Sequence, residues 1–132
     1  MEVAVGNKPV IKVFGQDFLT FDGSGVRDYV HVKDIARAHL MALEHFMDAN
    51  YQIFNIGTGK GRSVLEIVNT ASEILGKIIP MEVMEKRAGD AAETVANNSK
   101  IFQAWEFTPE HSDLETILNS AYKQKVFSQK YK

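Results

Sequence analysis

Apolar positions along the chain recur with two periods. Residues 10–14, VIKVF, form a short β-prone run that stops at Gly15, and Asp22-Gly23-Ser24-Gly25 is a turn signal. Beyond it VRDYVHV alternates. Val26, Asp28, Val30 and Val32 fall on one side of an extended strand, and Arg27, Tyr29 and His31 on the other. Asp34 stands where a helix N-cap is expected. Ile35, Ala38, His39, Ala42, Leu43 and Phe46 follow at helical spacing, up to a break at Asp48-Ala49-Asn50.

A second β-prone run, YQIFNI, leads into GTGKGRS. Ser63 and Glu66 then form a capping box for a helix that buries Val64, Ile67, Val68, Ala71, Ile74 and Leu75 and stops at Gly76. Another strand is expected from Ile79 to Met84, and Asn97 or Asn98 caps a short helix through Ala104. Ser112 with Glu115 reads as a second capping box, opening a last helix with Leu114, Ile117, Leu118, Ala121 and Tyr122 on one face. The pattern is α/β, with few short strands and three main helices. The unit YQIFNIGTGKGRSVLEIV reads as part of a parallel sheet, yet few other strands are available to flank it.

Composition narrows the function. A chain of 132 residues, 45% hydrophobic, buries one core and is most simply one domain. Fifteen basic residues against seventeen acidic ones give a net charge of −2, which argues against nucleic-acid binding by bulk charge. Zero cysteines exclude disulfides, thiolate catalysis and cysteine zinc sites, and fit a reducing, cytoplasmic location. His31, His39, His45 and His111 never show metal-ligand spacing. No apolar run approaches the roughly 18 residues of a membrane span. The opening MEVAVGNKPV does not read as a signal peptide. The lysines at 123, 125, 130 and 132 read as a solvated basic terminus.

Three motifs come close to a known chemistry and miss. GTGKGRS has glycines before a helix N-terminus, where anions can be cradled. But Lys60 is followed by Gly61 rather than by Ser or Thr, and Gly57, Gly59 and Gly61 do not space as G-x-G-x-x-G, although Glu82 lies about twenty residues on, where a ribose-binding acid would stand. A tight turn packing helix on strand is the simpler reading. Tyr29-Val30-His31-Val32-Lys33 spells Y-x-x-x-K, a dyad that works only when the two residues lie one helical turn apart. On a strand they would be roughly 13 Å apart. The carboxylate pairs Asp90/Glu93 and Glu82/Glu85 have no apolar pocket in the pattern to shift their pKa, and read as surface charge.

Taken together, VFGQDFLTFDGSGVRDYVHVKDIARAHLMALE, YQIFNIGTGKGRSVLEIV, EKRAGD and SDLETILNSA resemble the C-terminal, UDP-sugar-binding portion of the UDP-glucose 4-epimerases, in their order and spacing. These are NAD-dependent enzymes of the extended short-chain dehydrogenase/reductase family. The resemblance covers essentially the whole chain and is most specific in DGSGVRDYVHVKD. It implies a single incomplete domain over 1–132: the mixed α/β substrate-binding part of a Rossmann-like fold, whose NAD-binding portion is absent. By resemblance Arg27 grips the diphosphate and Tyr29 lines that pocket; Arg87 is a second phosphate clamp and Asp90 holds the ribose hydroxyls. The strand carrying Phe14 runs along the uracil, with Lys12 two residues earlier, and Thr94 stands beside the hexose as a small residue at a size gate. The family's arginine before Arg87 is Lys86 here, and its L-G-W is Gln103-Ala104-Trp105.

The resemblance further implies that no catalytic residue, metal or bound NAD belongs to this chain alone, although the intact parent enzyme uses NAD. A separate N-terminal half is an expected partner, with the stretch QIFNIG joining that half's sheet. Alone, such a strand would leave an open edge, so a homo-oligomer is expected, with neither nucleic acid nor membrane as partner. Two other readings stay open: part of a nucleotide-sugar dehydratase or decarboxylase, and a non-catalytic remnant or interaction module that binds a nucleotide sugar.

Overall fold

A computed structural model of the chain describes residues 1–45 and 51–131. Strand β1 (Ile11–Phe14) is followed by β2 (Val26–Asp28), helix α1 (Val32–Glu44), β3 (Gly61–Ser63), α2 (Val64–Leu75), β4 (Met81–Met84), β5 (Glu93–Thr94), α3 (Ser99–Trp105) and α4 (Leu114–Lys130). The strands make two small sheets. In one, β1 and β4 run parallel with Val13 opposite Val83; in the other, β2 is central, antiparallel to β3 and parallel to β5.

Two apolar clusters hold these pieces. Val68 and Ala71 of α2 meet Leu118 of α4, with Ala4 and Ile79 filling the space between. Ala38 of α1, Ile101 of α3 and Phe107 form the second cluster, against which Met41, Phe54, Ile56 and Trp105 pack. Helix α2 follows its sequence signals closely. The Ser63 side chain accepts from Glu66 N–H, the Glu66 carboxylate accepts from Ser63 N–H, and Gly76 closes the helix at φ 61° in the left-handed region. The short helix opens at Asn98, but the carboxamide oxygen that accepts from Ser99 N–H belongs to Asn97.

Several expectations are corrected. The alternating stretch VRDYVHV is a strand only as far as Asp28, and α1 begins at Val32 with His31, not Asp34, as its N-cap. The cause is a set of long-range bonds. His31 Nδ1 accepts from Lys33 N–H, while Asp34 lies fully buried inside the first turn and accepts from Glu110 N–H, His111 N–H and Ser112 Oγ. The same bonds displace the second capping box. Ser112 Oγ donates to Asp34 and accepts from His31 N–H, so α4 is capped by Asp113, whose Oδ1 accepts from Thr116 N–H at 2.8 Å.

The run YQIFNI forms no strand and joins no sheet among the described residues. Tyr51 and Ile53 are 81% and 61% exposed, and Lys100 Nζ donates to the Ile53 carbonyl. The strand expected from Ile79 starts at Met81, because Ile79 turns into the first core. On α1 only Ala38 of the apolar stripe is fully buried; His39, Ala42 and Leu43 face outward. Phe46 and the expected break at 48–50 lie outside the described residues. No described helix is long and apolar enough to cross a membrane.

Candidate functional site

The polar half of the chain is organised by aspartates that bind the protein itself. The turn at 22–25 closes when Asp22 Oδ1 accepts from the N–H and Oγ of Ser24, and its other oxygen accepts from Ser63 Oγ. Ser24 Oγ in turn accepts from Leu65 N–H, so the turn is fastened to the first turn of α2. Burial would raise the Asp22 pKa, but the bonds from Ser63 and Ser24 outweigh it and hold the carboxyl below its ordinary value.

Asp28, at the end of β2, plays the same part for the glycine loop. Its carboxylate accepts from Thr58 N–H at 2.9 and 3.0 Å, Thr58 Oγ1 at 2.5 Å, Gly59 N–H at 3.0 Å and Ala96 N–H at 3.3 Å. Burial pushes its pKa upward and these donors pull it further down, so the net shift is downward. Gly57 lets the carboxylate approach this closely. A Cβ there would sit 2.5 Å from Asp28 Oδ2 and collide with the Ala96 methyl. The loop is therefore an anion cradle whose anion is Asp28. With the amides of Thr58 and Gly59 so engaged, it does not fit a dinucleotide pyrophosphate.

The residues expected to touch a ligand fall into two groups. In the first, the Arg87 guanidinium lies 4.7 Å from the centre of the Phe14 ring, and its Nε donates to Asp90 at 2.9 Å. Lys12 is exposed on β1, two residues before Phe14 and thus on the same face of the strand. In the second, Arg27 of β2 stands directly opposite Thr94 of β5. The Arg27 guanidinium folds back along its strand: Nη1 donates to the Val26 carbonyl at 2.6 Å, in space left free at Gly25. Tyr29 lies just beyond, half-buried. Burial raises its pKa, and the Arg27 charge only partly offsets that rise. No hydrogen bond or ion pair joins the two groups among the described residues. They are linked through the backbone instead: Val26 N–H donates to the Ala92 carbonyl at 2.8 Å, between Asp90 and Thr94.

Sequence reasoning weighed Lys60 only as part of a phosphate loop and did not single out Arg62. A cavity of about 370 Å³ has Tyr29, Thr58, Lys60 and Arg62 on one wall and the segment from Pro109 to Ile117 on the other. Arg62 belongs to β3 and stands directly opposite Arg27 of β2. The signal lay in GKGRS, but only the pairing of β3 with β2 brings it beside Arg27. Tyr29 and Lys33 of the Y-x-x-x-K match straddle the start of α1, so they do not share a helix. The described residues contain no cluster of metal-ligating side chains.

The NAD dependent epimerase/dehydratase family matches residues 2–57. A UDP-glucose 4-epimerase of Corynebacterium glutamicum is 43% identical over 122 residues, which cover 92% of this chain and 37% of that protein. The solved UDP-glucose-4-epimerase of Stenotrophomonas maltophila, with bound NAD and formylated UDP-arabinopyranose, superposes with a TM-score of 0.89 at 38% identity, covering 97% of this chain and 38% of that one. The Bifidobacterium longum enzyme in complex with NAD+ and UDP gives a TM-score of 0.83 at 35% identity over 89% of this chain and 35% of its own. The homologues and structural neighbours are thus UDP-glucose 4-epimerases with a Rossmann-like fold, and the chain spans a little over a third of their length.

Proposed function

We propose that this chain, whose homologues are UDP-glucose 4-epimerases, is the C-terminal portion of such an enzyme and holds the UDP handle of a nucleotide sugar. One observation carries the reading. The Val26–Ala92 bond and the pairing of β2 with β5 tie two arginine-bearing segments, one with Arg27 and one with Arg87 and Asp90, into a single frame. In that frame Arg27 and Arg87 donate charge-assisted hydrogen bonds to the diphosphate, which a planar guanidinium fork suits well. Asp90 accepts from ribose hydroxyls, Tyr29 lines the pocket, and Phe14 and Lys12 border the base. The work done is orientation: the handle stays fixed while the hexose turns.

Chemistry belongs to the rest of the enzyme. In the whole epimerase NAD would supply the hydride chemistry, and the glycine loop of this chain, its amides engaged by Asp28, does not fit that cofactor. The isolated chain therefore has no epimerase activity, and UDP-galactose incubated with the pure chain should remain unchanged. Segment 51–56 supplies the seam to the NAD-binding portion. Thr94 acts as the size gate. It is small, so both plain and 2-N-acetylated hexoses fit, and Thr94→Tyr in an enzyme completed with a related N-terminal half should remove the N-acetylated substrate selectively.

Calorimetry with UDP tests the site. Arg27→Ala and Arg87→Ala should each weaken binding by about 10-fold or more. Unchanged affinity in both variants would overturn the assignment, as would a wild-type chain that does not bind UDP.

A further inference from the structure

Arg27 and Arg62 stand directly opposite each other on the antiparallel pair β2/β3. Directly opposed residues project to the same face with Cβ atoms about 4.5–5.5 Å apart, and like charges so placed repel. The sheet tolerates this pair through two local contacts. Arg27 folds onto the Val26 carbonyl, and Arg62 Nη1 bonds Glu66 Oε1 at 2.7 Å. Both contacts are partly solvated and easily exchanged; the Arg62 side chain keeps 45% of its exposure. Lys60, two residues back on the same loop, is a second cation on the cavity wall that Tyr29 shares with Arg62.

Resting on the UDP reading above, we propose that Arg62 is a further phosphate-binding residue of the same site. It faces the diphosphate from β3 while Arg27 faces it from β2, and it exchanges Glu66 for the ligand when the anion arrives. Glu66 is then a stand-in anion. One oxygen holds Arg62 in place, and the other accepts from Ser63 N–H in the capping box. An anion between the two guanidiniums removes the repulsion between them, and two planar forks converge on the oxygens of one ligand.

The test measures calorimetric binding of UDP, uridine and inorganic pyrophosphate to the intact chain and to Arg62→Ala, Arg62→Lys, Glu66→Gln and Arg27→Ala. Gln at 66 keeps the cap bond but removes the competing charge. Arg62→Ala should weaken both UDP and pyrophosphate by about 10-fold, leave uridine unchanged and flatten the salt dependence of UDP binding. Arg62→Lys should recover part of the loss, and Glu66→Gln should tighten UDP. Circular dichroism of each variant excludes unfolding as the cause. If Arg27→Ala loses UDP while Arg62→Ala binds as the wild type does, Arg62 is not a ligand residue and the UDP reading stands. If Arg62 governs pyrophosphate but UDP binds no better than pyrophosphate, the anion site stands and the nucleotide reading falls. A wild-type chain that binds neither ligand overturns both.

Discussion

The stretch from Asp22 to Asp34 and the stretch from Lys86 to Thr94 both carry conspicuous charge, and they use it in opposite ways. In the first, Asp22, Asp28 and Asp34 turn inward and accept bonds from backbone N–H groups or hydroxyls elsewhere in the chain. In the second, Lys86 pairs with Asp17 and Arg87 with Asp90, all through side chains at the surface. Removing an inward carboxylate leaves buried donors without acceptors, whereas removing a surface cation costs little because water takes its place. The most specific motif of the chain is therefore mostly scaffold. Within it Arg27 and Tyr29 are the residues proposed to meet the ligand.

The sharpest way to break this contrast is Asp34→Ala. It strands two backbone N–H groups and a hydroxyl, and should lower stability by about 3 kcal/mol or more in urea unfolding. An unchanged urea midpoint would show that the inward carboxylates are not structural. Next in size is oligomerisation. The exposed apolar segment around Ile53 should drive the chain to a dimer or larger assembly in light scattering, and Ile53→Lys should return it to a monomer without loss of fold.

Acid gives a finer test. Asp22 and Asp28 have folded pKa values below their unfolded ones, so their contribution is complete above about pH 4 and disappears as the pH falls through the folded values. Urea midpoints should decline below that point, and Asp28→Asn should make the decline shallower. A slope unchanged by Asp28→Asn would contradict the loop cradle. The smallest effect belongs to the other region. Arg87→Ala should shift stability by no more than about 0.5 kcal/mol while reducing UDP affinity about 10-fold, a separation that Asp34→Ala cannot show.

What could be read directly from the residues was local. The capping box at Ser63 and Glu66, the stop at Gly76 and the apolar stripe of α2 all act within a turn or two of chain, so the determinants lie side by side in the sequence. The strand at 11–14 and the last helix were legible for the same reason. The resemblance named the residues of the candidate site one by one, and of these the structure sets Arg87 beside both Phe14 and Asp90.

Tertiary structure decided whatever depended on distant donors. Asp34 is a natural helix cap by type and spacing, but Glu110, His111 and Ser112 offer a buried carboxylate three bonds at once, which no local cap can match. That contact moved the start of α1 to Val32 and the cap of α4 to Asp113. The glycine loop could bind an external anion until Asp28, thirty positions earlier, filled it. Nothing in the sequence singled out Arg62; the pairing of β3 with β2 set it opposite Arg27. The sequence by itself determined the elements whose bonds close within a few residues. Only the folded chain could decide which charges bind the protein and which are left for a ligand, because that choice rests on groups brought together across the chain.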